Sequence, residues 1–318
     1  CAELAGHYMH LDDGFPVTKG AYPCLLDRDG LNELLRKSTD PDQATDAAKG
    51  LIVWIPGSME GIQPAFTTAV ERKSFAQSLG LYPYTIFWCN NFVQKSLEVL
   101  ETIFDSCEQQ AGSDAEHLDN LIEQQVQGVG RALWRDIEMS ARRSVRGTGE
   151  LPYEPDEHDS PPRIKPGLVA RFLADIVSLK MERGIQLHLI AEGAGALVLH
   201  EMLSLASEVD GDDDGTDSIF SQIDLPDIFD SLHLVHPAIG MPRASKHLLP
   251  LLRAMNGDII GKPRGASMAR QPNVQALLNT NDEPKARIYV PTEALEKDLH
   301  FGLYGKSVLH LVARSFED

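Results

Sequence analysis

The sequence predicts an α/β fold, a mostly parallel central sheet with helices on both faces. Three observations carry it. Short apolar, β-branched runs such as Leu51 to Ile55 (LIVWI) and Ile185 to Ala191 (IQLHLIA) read as strands buried on both faces. Segments of helical period separate these runs, and that alternation feeds parallel strands through crossovers. The chain has 318 residues, 42% of them hydrophobic, enough to fill one large core.

Each element follows in order. Residues 1–49, rich in Asp, Gly and Pro, read as an irregular N-terminal lead-in with one short helix near 30–37. The LIVWI strand stops at Pro56-Gly57-Ser58. A helix near 66–79 leads to a second strand, Tyr84 to Cys89 (YTIFWC), where Cys89 reads as a buried thiol. A helix over about 92–109 comes next. Ser113-Asp114-Ala115-Glu116 has the capping-box pattern and opens a helix to about 145, with Leu118, Leu121, Ile122, Val126, Val129 and Leu133 at helical spacing. Residues 147–165 read as a loop, so 92–165 forms a mainly helical insertion. A helix over 166–183 leads to the third strand, IQLHLIA, and Ala194 to Ser207 is the helix after it. Asp230 to Val235 (DSLHLV) and Ala286 to Val290 (ARIYV) read as the fourth and fifth strands, and 303–316 as a closing helix. No repeat or linker divides residues 50–318, which read as one domain.

Composition narrows the function. The formal net charge is −18. Such a surface repels phosphate backbones, so no nucleic-acid partner is expected. No apolar run is long enough for a membrane span, and the chain reads as cytoplasmic. The four cysteines make no metal-ligand spacing, and neither metal nor cofactor is expected. Asp210, Asp212, Asp214 and Gly215 copy the opening of a calcium loop, but Ser221 stands where its bidentate Glu belongs. The segment reads as a solvated acidic loop.

The most informative stretch is Leu187 to Glu201, LHLIAEGAGALVLHE. A buried strand enters a turn of small residues and leaves as a helix, as in the nucleophile elbow G-x-S-x-G. Ala191, Glu192, Gly193, Ala194 and Gly195 take its five places, so Gly193 stands where the serine nucleophile belongs. A glycine cannot attack a carbonyl or form an acyl-enzyme. Two other readings stay open. One is an ordinary βα turn. The other is a dinucleotide turn at Gly193-Ala194-Gly195, with Val198 in its third glycine position.

Several segments together resemble a group of bacterial α/β-hydrolases. LIVWIPGSMEG is similar to their strand and oxyanion turn, with Pro56 in the place of the usual His. YPYTIFWCNNFVQKSLEVL and GRALWRDIEMSARR resemble the segments between that strand and the elbow. LHLIAEGAGA is similar to LHLVGHSAGA, and YVPTEALEKD with YGKSVLHLVARSFE resembles the closing strand, acidic turn and helix. The likeness covers about 50–318 and implies an α/β-hydrolase-like fold. It implies an acid, with Asp298 preferred over Glu293 and Glu296, and a histidine at His300 or else His310. Beside the resemblance, the residues at the two turns and the end of the fourth strand give a candidate ligand site of Gly57, Ser58, Glu192, Ala194 and His236. Glu192 is expected at the pocket mouth, where its charge opposes an oxyanion. His236 reads first as a turn histidine before Pro237, and His188 and His233 as satisfied core residues. The first functional reading is a catalytically silent hydrolase fold that binds a small ligand or a protein partner. The alternative is an active ester, acyl or peptide hydrolase that uses Ser58, a held water or an engineered site.

Overall fold

Two of the apolar runs pair directly, with Leu51 opposite Leu187 and Ile55 opposite Ala191. They are β3 (Gly50–Ile55) and β5 (Gln186–Glu192), the centre of a seven-stranded sheet. This computed structural model describes residues 2–24, 28–42, 47–59, 61–88, 91–147, 166–208, 225–256, 284–291 and 300–316. The other strands are β1 (Tyr8–Asp12), β2 (Phe15–Pro16), β4 (Leu81–Phe87), β6 (Ser231–Val235) and β7 (Ala286–Tyr289). Their order is β2-β1-β4-β3-β5-β6-β7. Every pairing is parallel except the β1–β2 hairpin. The acidic loop with Asp210 and the Cys89 thiol lie outside the described residues.

Helices cover both faces. Seven concern the argument: α1 (Arg28–Ser38), α2 (Ile62–Ser78), α3 (Asn91–Ala111), α4 (Ala115–Gln125), α5 (Gln127–Arg146), α6 (Leu168–Arg183) and α7 (Gly195–Glu208). Period-2 alternation splits the side chains of β3. Leu51, Val53 and Ile55 join the large core under α5, α6 and α7. Ile52 and Trp54 face the other way, against Ala76 of α2. Among the described residues no helix is long and apolar enough to cross a membrane.

Three expectations are corrected. Residues 1–49 are not an irregular lead-in, because β1 joins the sheet beside β4, with Tyr8 opposite Thr85. Its apolar signal, Met9 and Leu11 alternating with His10 and Asp12, is too short to stand out. The expected helix to about 145 is two helices meeting at Val126. After that break α5 approaches Phe316 so closely that a Cβ on Gly130 would lie 2.1 Å from its ring. The closing helix begins at Val308, not near 303. Ser307 caps it by accepting from the His310 N–H, and Phe301 and Tyr304 form an isolated bridge ahead of it.

At the far edge Asn256 behaves like a piece of strand. Its side-chain amide accepts from the Ala286 N–H and donates to the Ala286 carbonyl, both at 2.9 Å.

Candidate functional site

The strand order places a switch point between β3 and β5. From β3 the chain moves outward to β4, then returns across the sheet to β5 and continues outward through β6 to β7. Helices α2 and α7 therefore leave on opposite faces, and the loops at the carboxyl ends of β3 and β5 lie side by side. In open α/β sheets a switch point of this kind is where ligands bind. Gly57, Ser58, Gly193 and Ala194 all stand there.

The turn after β5 is sharp. Gly193 has φ of +51°, in the left-handed region. Its N–H donates to the Val235 carbonyl and its carbonyl accepts from the Ala238 N–H, both at 2.9 Å. These two bonds lock the turn to the end of β6. A Cβ built on Gly193 would meet only the Gly57 Cα, at 3.8 Å, which is ordinary contact. Gly195 is different, since a Cβ there would lie 2.2 Å from the Ile55 carbonyl oxygen. The turn thus requires glycine at 195 by packing, while at 193 a Cβ fits and the positive φ is what favours glycine. Ala194 is buried. The next residue opens α7, a helix of 14 residues whose first N–H groups give the turn a positive end.

The facing loop, after β3, is anchored from below. The Trp88 indole N–H donates to the Pro56 carbonyl at 2.9 Å, and the Ser140 hydroxyl donates to the Trp88 carbonyl at 3.2 Å. Ser58 is 2% exposed, and its Oγ has no hydrogen-bond partner among the described residues. An orphaned buried hydroxyl costs about 1–3 kcal/mol and calls for an explanation.

Glu192 differs from the expectation. Its carboxylate does not stand as a free charge at the mouth. Arg72, on α2, grips it with two bonds, Nη1 to Oε2 at 3.0 Å and Nη2 to Oε1 at 2.8 Å. The guanidinium also lies over the Trp54 ring, 5.9 Å from its centroid. The pair is therefore close to neutral and does not oppose an anionic group nearby. Arg72 is the residue that sequence reasoning missed. It lies 120 positions from Glu192, and no local pattern links them.

His236 follows β6 directly and has φ of +47°, rare for a residue with a side chain. Its N–H donates to the Tyr289 carbonyl at 2.8 Å. Its ring Nε2 is buried without a partner among the described residues. Burial pulls its pKa below the ordinary histidine value, against the opposing effect of Glu192. The strain and the unpartnered nitrogen set His236 apart from the bonded histidines of β5 and β6. The structure thus brings Gly57, Ser58, Glu192, Gly193, Ala194 and His236 to one end of the sheet. Asp298, Glu293 and Glu296 lie outside the described residues, and His300 is exposed. Among the described residues no group of three or more metal-ligating side chains is placed to hold an ion.

No family model, curated protein or solved structure matches the chain.

Proposed function

We propose that this chain is a hydrolase-like fold silent in acyl transfer, which binds a small ligand at the carboxyl ends of β3, β5 and β6. One observation carries the reading. Position 193 keeps the left-handed turn of a nucleophile position but presents no side chain there, and a Cβ built on it meets only the Gly57 Cα, at 3.8 Å. A ligand group takes the place of the absent side chain. A carbonyl or carboxylate oxygen fits the chemistry around it: the positive end of α7, the orphaned Ser58 hydroxyl and the unpartnered, largely neutral His236 imidazole. The Arg72–Glu192 pair removes the negative charge that would repel such an oxygen.

The test compares the natural chain with Gly193→Ser and Ser58→Ala in turnover of p-nitrophenyl esters and labelling by a fluorophosphonate. The silent reading expects no turnover and no label from the natural chain. It expects Gly193→Ser to label where a working base is in place. Turnover by the natural chain that Ser58→Ala abolishes would sink it and establish the second reading, an active hydrolase with Ser58 as nucleophile. That reading rests on the orphaned Ser58 Oγ, with Asp298 and His300 as its acid and base.

A further inference from the structure

We infer that the chain pairs with a second copy of itself through its helical insertion. On α5, Arg135 and Arg142 are exposed seven residues apart, with the half-exposed Met139 between them. On α3, Glu98, Glu101, Asp105 and Glu108 are exposed, and Val99 stands beside them. Glu98 and Asp105 are also seven apart, as are Glu101 and Glu108. At 1.5 Å per residue each pair spans roughly 10 Å along its helix, so the basic and acidic spacings match. The opposite faces are committed to the core, through Leu100, Phe104 and Cys107 on α3 and Leu133, Ile137 and Ala141 on α5. Rotation of either helix to bring the stripes together within one copy would expose those side chains.

The two helices pack on each other in one copy, yet among the described residues Arg135 and Arg142 make no ion pair. A two-fold axis resolves this. Each copy offers its α5 arginines to the α3 carboxylates of the other, and both contacts form at once. The occupant is a second copy because the same chain supplies both complementary stripes at matched spacing. Net charge opposes the encounter, since each copy carries −18. At about 0.15 M salt the screening length is about 8 Å, so that repulsion fades while contacts at ion-pair distance persist. Surface pairs are individually weak, which makes the dimer a concentration-dependent one.

Sedimentation equilibrium of the full chain at about 0.15 M salt tests the inference. The natural chain is expected to dimerise as concentration rises. Arg135→Glu with Arg142→Glu is expected to weaken dimerisation about tenfold or more. Glu98→Arg with Glu101→Arg is expected to do the same, although it lowers the net negative charge. An equimolar mixture of the two variants is expected to recover the association, because each supplies what the other lacks. Such recovery also shows that both variants are folded. A natural chain that stays monomeric at about 200 μM, a dimer that neither reversal weakens, or a mixture that fails to recover overturns the inference.

Discussion

Strands β5 and β6 carry histidines at two levels, and the levels behave in opposite ways. In mid-strand, His188 and His233 are buried and bonded. Ser231 Oγ lies 2.8 Å from His188 Nδ1 and 3.0 Å from His233 Nε2, and the Tyr289 hydroxyl lies 3.2 Å from His233 Nδ1. At the carboxyl end, His236 is strained and its Nε2 has no partner among the described residues. The Ser231 hydroxyl has one hydrogen and two lone pairs, so it donates to one ring nitrogen at most and accepts from the other. Burial holds the pKa of both imidazoles below the ordinary histidine value. The mid-strand level is closed and holds the sheet together. At the end level the bonding is incomplete, and it is incomplete at the switch point of the sheet. Buried polar side chains are informative about function only where their bonding is incomplete.

The largest test of this contrast is Gly195→Ala. The new Cβ would press on the Ile55 carbonyl at 2.2 Å, between the two central strands. We expect a loss of about 4 kcal/mol or more in urea unfolding, or no folded protein. A loss under about 1 kcal/mol would mean that the elbow is not held as described.

Acidification comes next. Burial pulls His188 down to about 4, with Asp230 opposing and Lys180 adding to the shift. Burial also pulls His233 down to about 3, helped by Arg287. Below pH 6.5 the unfolded chain takes up protons that these two rings refuse, so stability is full above that value and falls as pH drops toward 4. Each ring contributes up to about 1.4 kcal/mol per pH unit in that window. In His233→Ala the slope should flatten. That substitution also leaves the Ser231 and Tyr289 hydroxyls short of a partner and should cost about 3 kcal/mol at pH 7. An unchanged slope in the variant would assign the acid sensitivity elsewhere.

Arg72→Met is the intermediate case. It strands the Glu192 carboxylate beside the elbow and should cost about 1–2 kcal/mol. It should also raise the pKa of His236, measured by NMR titration of the ring, because an uncompensated carboxylate favours the imidazolium. The smallest effect belongs to Gly193→Ser, about 1 kcal/mol for a side chain at positive φ. The fourfold contrast in cost between neighbouring glycines 195 and 193 separates packing from chemistry at one turn.

The sequence made the centre of the fold legible because its cues were local. LIVWI and IQLHLIA are continuous apolar runs, and the small residues from Ala191 to Ala196 announce the sharp turn and the position that Gly193 takes. The expectation that His188 and His233 are satisfied core residues agrees with their bonded, buried state. Cues that depended on distant partners were invisible. Arg72 reads as one more charge on a helix until Glu192 is placed beside it. The strain at His236 arises from where β6 must meet the Gly193 turn, a relation between two strands. Past the break at Val126, the glycine at 130 is matched to Phe316, a partner far along the chain.

The amide of Asn256 has a consequence beyond the sheet it borders. A bare outermost strand offers its ladder groups as a template on which other chains can stack. At Ala286 both outward backbone groups are already taken, by a side chain that cannot itself be extended. Growth by strand addition, the route to fibrils, is blocked at that residue by a single amide. Asn256→Ala would leave the core intact and still turn that position into a seed for aggregation.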